Sequence, residues 1–277
     1  SDGITSILNV KMSASMSLLN TSSRRAGAGG FKTCPTRTTI RSVRRRPLMK
    51  ARAALDPDNA NVLVCGGGGV GFLVSKKLKD MGSWVWCMQR SETRRSQIEG
   101  MMALFAKADA LNMEQVEKVF DGIDDLDAVV STIGGTVAEP LADSQGNINI
   151  IEAAKKRGVK KFVLVTSIGA GDSKDATPPS VYETLEPVLV EKQKAEEALK
   201  ESGMDYVIVR PGGLKNEPGT GSAKLTEDNT VCGAIHREDV ADLVIKVLLS
   251  DVANGKTLSA VDPAQMFGEP QFETVEV

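Results

Sequence analysis

From position 61 onward, short apolar runs alternate with stretches of helical period. Residues 61–65 (NVLVC) are apolar on both faces of an extended chain and end in glycines, which predicts a buried parallel strand. Residues 72–81 then repeat near 3.6: Leu73, Val74, Leu78 and Met81 share a face, Lys76, Lys77 and Lys79 take the other, and Gly82 stops the helix. Further strands are predicted at 84–88, weakly at 101–105, and at 127–132, 162–166, 206–209 and 257–261. Helices are predicted at 113–120, at 148–156 with Gly158 as cap, at 188–201 stopped by Gly203, and at 239–249. This alternation predicts one α/β domain, a Rossmann-type doubly wound parallel sheet with helices on both faces. Two longer segments, 169–187 and 212–235, leave C-terminal strand ends, where open α/β sheets bind ligands, and are read as substrate loops. The tail from Pro263 shows no usable pattern.

Before position 55 the pattern is missing, and charge divides the chain at the same place. Residues 1–54 hold eleven basic residues, one acid and fourteen Ser or Thr, a charge of +10; residues 55–277 hold 23 basic and 35 acidic residues, a charge of −12. Arg and Ser richness with almost no acid describes an organelle transit peptide, more chloroplast-like than mitochondrial because no amphipathic helix is evident. Met12-Ser13-Ala14 reads as a start, and Lys50-Ala51-Arg52-Ala53-Ala54 resembles a stromal processing site. A disordered basic arm for an anionic partner is the alternative. The expected working body is residues 55–277, in the stroma.

Composition removes several classes. No run approaches 18 apolar residues, so no transmembrane segment is expected. Four Cys without a C-x-x-C pair, and a single His, argue against a disulfide scaffold or a metal site. A body at −12 does not attract nucleic acid by its field.

The chemistry begins after the first strand, at Gly66-Gly67-Gly68-Gly69-Val70-Gly71. Gly66, Gly68 and Gly71 fill G-x-G-x-x-G between a strand and a helix. The first permits the sharp turn, the second lets backbone approach a pyrophosphate, and the third lets the helix pack close. The helix N-terminus presents N–H groups and a positive dipole end to phosphate. A ligand-free flexible turn is the alternative. At the second strand's end, Met88-Gln89-Arg90-Ser91 lacks the acid that would accept from an NAD ribose. Arg90, with Arg94 and Arg95 a turn on, suits a 2′-phosphate, so NADP(H) is favoured over NAD(H); ordinary surface charge is the alternative. Asp109 follows the third strand, placed either to accept from an adenine amino group or simply to cap a turn before Asn112.

With these residues the chain resembles the atypical short-chain dehydrogenase/reductases, specifically the NmrA-like NAD(P)H-binding group. The marks run from Asn61 to Asp262: the glycine turn, Ser131-Thr132-Ile133-Gly134-Gly135, Asn149 to Ala154, Gly158 to Val163, and Thr166-Ser167-Ile168-Gly169. They continue through Lys194 to Leu199, Ser202 to Tyr206, Arg210-Pro211-Gly212-Gly213 and His236 to Ala241. The group's usual turn is G-x-x-G-x-x-G; this one is a residue shorter. The resemblance implies cofactor contacts from Gly66, Gly68, Gly69, Gly71, Ile133 and Gly134, with Pro211 and Gly212 against the nicotinamide.

The resemblance also implies a Tyr-x-x-x-Lys pair, and here the chain departs. Lys194 matches the Lys, but Val190 stands four residues earlier; Lys192 has Val188 there. Lys194 is therefore a ribose anchor or a surface Lys. Tyr182, in the loop after the fifth strand, is the one Tyr near the expected cleft, since Tyr206 falls in a strand. Ser167 is a candidate donor to a substrate oxygen or a turn residue. His236 precedes a helix and can titrate or merely introduce it, and Cys65 and Cys87 are expected core hydrophobes. Two functions remain open: a stromal reductase of a small carbonyl, quinone, flavin or tetrapyrrole-like substrate, and a non-catalytic NADP(H)-sensing protein that docks on a chloroplast partner.

Overall fold

The computed structural model describes residues 55–268 and 271–277; the transit-peptide assignment, 1–54, lies outside them. Five strands and four helices come first along the chain. Strands β1 (Asn61–Cys65), β2 (Trp84–Gln89), β3 (Leu104–Lys107), β4 (Ala128–Ser131) and β5 (Lys161–Val165) alternate with helices α1 (Gly69–Asp80), α2 (Arg95–Gly100), α3 (Met113–Asp121) and α4 (Asn147–Arg157). Then follow α5 (Pro179–Glu201), β6 (Asp205–Pro211), three short strands β7 (Gly213–Lys215), β8 (Lys224–Thr226) and β9 (Ala234–His236), α6 (Arg237–Leu249) and β10 (Lys256–Val261). The main sheet runs β3-β2-β1-β4-β5-β6-β10-β8.

Side chains of alternate parity build two cores. Val62, Val64, Val163, Val207 and Val209 face α1 and α6, while Leu63, Val129, Phe162, Leu164 and Ile208 face α3, α4 and α5. Both faces of the strands are covered, which is why their sequences read as continuous apolar runs. The α4 helix ends at Gly158 with φ 69, the left-handed cap its position in sequence predicts.

Four expectations need correction. The sheet is not wholly parallel: β8 pairs antiparallel with β10 at the edge. The third strand begins at Leu104, because the α2 helix and a turn through Met102, at φ 58, occupy the preceding residues. Segment 212–235 is not open loop, since β7, β8 and β9 lie in it, and β7 pairs with β9. Segment 169–187 shortens from its end, because α5 starts at Pro179 rather than 188. Pro179 stands in the first turn, where no N–H is needed. Pro187 is carried inside the helix, and burial of Val188 and Leu189 immediately after it offsets the missing backbone bond.

A buried ion pair ties α5 to the sheet. Arg210, at the end of β6, donates from Nε to Glu196 Oε1 at 3.0 Å and from Nη2 to Oε2 at 2.6 Å, and Thr166 donates to the same carboxylate at 2.7 Å. Both side chains are nearly sealed from solvent, and Asp172 is the second partner of the guanidinium. Burial acts to pull the Arg210 pKa down, but bonds to Glu196 and Asp172 outweigh it and hold the group above its ordinary value. Replacing Glu196 with Gln leaves the buried guanidinium only the exposed carboxylate of Asp172, so urea unfolding should show a loss of about 3 kcal/mol. A loss under about 1 kcal/mol, the range of an exposed pair, would mean that solvent reaches the pair.

Candidate functional site

Strand order reverses at β1, which has β2 on one side and β4 on the other. The loops leaving these strands diverge there and open a crevice. A cavity of about 860 Å³ occupies it. Its wall is drawn from the ends of four strands: Gly66 to Gly68 after β1, Met88 to Ser91 at the end of β2, Ala108 to Leu111 after β3, and Thr132 to Thr136 after β4.

The glycines of the turn have separable jobs. Gly66 adopts φ 125, and a Cβ on it would meet Thr132 Oγ1 at 2.5 Å. A Cβ on Gly71 would meet that hydroxyl at 2.6 Å and the Gly66 carbonyl oxygen at 2.9 Å, so Gly71 is a packing residue inside α1 and not part of the cavity wall. Gly69, also in α1, lies against Arg237. Gly68 differs: a Cβ there meets nothing within 4 Å, and the residue lines the cavity. It precedes α1 with no side-chain cap and no acid in the first turn. Free first-turn N–H groups, open space over Gly68 and a cavity of this size fit a dinucleotide's phosphates.

Arg90 is exposed on the cavity wall. Arg94 joins it; its guanidinium lies 5.1 Å from the centre of the Phe72 ring and donates to the Gly68 carbonyl at 3.4 Å. Arg95 does not, being engaged by Glu99 at 2.8 Å and Glu92 at 3.5 Å. Asp109 lines the cavity and also closes a turn, its Oδ1 accepting from the Leu111 N–H at 3.0 Å. Ile133 and Gly134 line it after β4.

The remaining candidates lie elsewhere. Lys194 points outward, half-exposed, to Glu191 at 2.5 Å. Ser167 donates to the Ile168 carbonyl at 2.9 Å. Pro211 and Gly212 are buried at the end of β6, and Gly212 is needed there because a Cβ would sit 2.4 Å from the Gly233 carbonyl oxygen. Tyr182 borders a separate, smaller pocket. His236 belongs to a knot at the start of α6, where Asp239 and Asp262 accept from the Thr220 hydroxyl at 3.3 and 3.0 Å. Cys65 and Cys87 are buried, and burial pushes both thiols up.

Behind the cavity wall at Gly134 and Gly135 lies a pair that the sequence does not mark. Lys192 Nζ meets Asp143 Oδ1 at 2.6 Å, and Asp143 Oδ2 accepts from the Gly135 N–H at 2.7 Å. Asp143 is buried and sits in a single π-helical turn, Ala142–Gly146, a feature frequent at functional sites. Asn147, just beyond, collects the Asp143 carbonyl at 2.9 Å. Lys192 and Lys194 lie about 200° apart around α5, so only the first can face Gly134. The Tyr-x-x-x-Lys spacing does not mark Lys192; its readable signal is its place on the apolar face with Val188 and Leu199.

Comparison with known proteins agrees with this geometry. A model of the NAD(P)H-binding family matches residues 66–251. An uncharacterised chloroplastic protein of Arabidopsis thaliana is 39% identical over 128 residues, 44% of this chain and 46% of its own length, so this chain spans about half of that relative. Sanguinarine reductase of Eschscholzia californica is 28% identical over 75% of this chain and 91% of its own. Among solved structures, ChuY, an anaerobilin reductase of Escherichia coli, superposes with a TM-score of 0.68 at 26% identity, covering 74% of this chain and 98% of its own.

Two outcomes follow for variants. Gly68→Val should keep the wild-type unfolding midpoint yet lose dinucleotide binding, whereas Gly71→Ala should lose about 1–3 kcal/mol of stability through overpacking. Loss of stability in the first, or none in the second, would reverse these roles. Asp143→Asn and Lys192→Gln should each weaken NADPH binding in a fluorescence titration, with a coupling of about 0.5–3 kcal/mol in the double variant. Simple additivity would show that the two do not act as a unit.

Proposed function

This chain belongs to the NAD(P)H-binding family, and from that premise we propose that it is an NADPH-dependent reductase of a flat, conjugated small molecule, acting in the chloroplast stroma after loss of residues 1–54. The observation that carries the reading is the cavity at the strand-order reversal, open over Gly68 and bordered by Arg90 and Arg94 in a body otherwise rich in acid. When bound, the nicotinamide cofactor supplies the hydride.

The chain's own residues would hold it. The α1 N-terminus and Gly68 take the pyrophosphate, Asp109 and Ile133 border the adenosine, and Arg90 with Arg94 meet a 2′-phosphate. Lys192, steadied by Asp143, stands beside Gly134 and takes the place that sequence alone suggested for Lys194. Two relatives carry the name of reductases, of sanguinarine and of anaerobilin; that supports the reductase reading here. The chloroplastic relative supports the location.

NADPH and NADH titrations test the cofactor. Arg90→Glu should weaken NADPH by tenfold or more, on the order of 1.4 kcal/mol, and leave NADH nearly unchanged; equal losses would remove the 2′-phosphate assignment. NADPH oxidation against a panel of flat acceptors tests the activity. Tight NADPH binding with no turnover, together with a protein partner whose capture differs between NADPH and NADP⁺, would replace the reductase with the cofactor-sensing docking protein.

A further inference from the structure

The polar knot at the start of α6 is short of positive charge. Asp239 and Asp262 are 3% and 0% exposed. Among the described residues neither meets a Lys or an Arg: Lys77 goes to Asp242 at 2.7 Å, and Arg237 turns to Asn216 at 2.7 Å. Only His236, itself buried, stands beside them, with Nδ1 3.5 Å from Asp239 Oδ2. One imidazole cannot balance two sealed carboxylates, and buried charge is held by pairing or by a metal ion.

The neutral groups of the knot point the same way. His236 Nδ1 takes its hydrogen bond from Gln265 Nε2 at 3.3 Å, and the same amide donates to Asp262 Oδ2 at 2.9 Å. An amide donor leaves Nδ1 with a lone pair, and that lone pair shares the knot with Asp239 Oδ2. The far end of the amide, Gln265 Oε1, is closed to solvent and among the described residues has no hydrogen-bond partner. Half a turn of the amide brings that oxygen to the place of Nε2. The Thr220 hydroxyl, which donates to Asp239 and Asp262 at 3.3 and 3.0 Å, presents its oxygen when one hydrogen rotates. The imidazole nitrogen and the two carboxylates lie within 4.8 Å of one another. Separations of about 3.0–3.4 Å are the edges of a shell with bonds near 2.1 Å, and those between neighbours here match them.

We propose that His236, Asp239 and Asp262 hold a first-row divalent cation, Zn²⁺ or Mn²⁺ by their mix of nitrogen and oxygen, with Thr220 and Gln265 completing its shell. A single His argued against a metal site from composition, but two carboxylates leave only one nitrogen to supply. The ion fastens three parts of the chain: the segment after β7, which Asp239 already holds through the Thr220 and Gly221 N–H groups, the start of α6, and the end of β10. None of the five residues lines the dinucleotide cavity. The ion is therefore structural, and the inference does not depend on the reductase reading.

The chain has one His, so its imidazole gives one set of signals in a long-range proton–nitrogen NMR spectrum. On the full, untagged, chelator-treated chain, Zn²⁺ should move the Nδ1 resonance and leave Nε2 protonated, and Mn²⁺ should broaden both. Equilibrium dialysis with Mn²⁺ should show binding that His236→Gln and Asp262→Asn each weaken by more than about tenfold. Gln265→Leu should weaken it as well while keeping the metal-free unfolding midpoint. Mn²⁺ should raise that midpoint in the wild type and not in Asp262→Asn. Imidazole signals unchanged at saturating Zn²⁺ and Mn²⁺ overturn the proposal, as does wild-type affinity in His236→Gln. The imidazole is read on the wild-type chain, so the test stands even where a variant fails to fold.

Discussion

Helix α1 can start where β1 ends only because two backbones touch. The Gly66 carbonyl oxygen lies where a side chain on Gly71 would begin, and the Thr132 hydroxyl fills the space beside both while donating to the Cys65 carbonyl at 3.1 Å. That contact fixes the crossing of helix on strand and ties it to the end of β4. From it follow the open helix N-terminus over Gly68, the crevice between the loops after β1 and β4, and the cavity that fills it. The turn one residue shorter than the family's usual form still delivers this geometry, because the glycines that must approach closely, Gly66 and Gly71, are both kept.

Charge is handled by distance from water. The acids that dominate the body are mostly solvated, where pairs such as Lys107–Glu92 at 2.6 Å contribute little. Two pairs are not. Arg210–Glu196 is sealed in and locks α5 to the sheet, and Asp143–Lys192 is partly sealed beside Gly134 and Gly135. The first holds the long helix whose other end carries Tyr182, and the second faces the place where the cofactor is proposed to bind. One helix thus carries a sealed structural charge at Glu196 and, about one turn earlier, the Lys192 charge beside Gly134.

Much of the fold was legible because a buried parallel sheet forces a simple code. Strands sealed on both faces must be apolar throughout, and amphipathic helices must show a stripe. The misreadings fall where local rules compete with packing. Pro187 marks a helix boundary by local propensity, yet α5 runs through it because Val188 and Leu189 bury beyond it. Segment 212–235 lacks periodicity because strands of three residues are too short to show any. Lys192 carries no local mark of its role, because its partner, Asp143, stands 49 residues away in sequence.

The amino-acid sequence by itself determined the layered α/β architecture, the glycine turn and the basic residues after the second strand, since each depends on neighbours within one turn or one strand. Tertiary structure alone decided which of those residues share a cavity. Lys192 and Lys194 are chemically the same and two positions apart; the rotation of α5 against the sheet turns one inward and leaves the other in water. Arg94 and Arg95 separate likewise, one on Phe72 and one on Glu99. No local rule distinguishes such neighbours, because the choice is made by what the rest of the chain packs against.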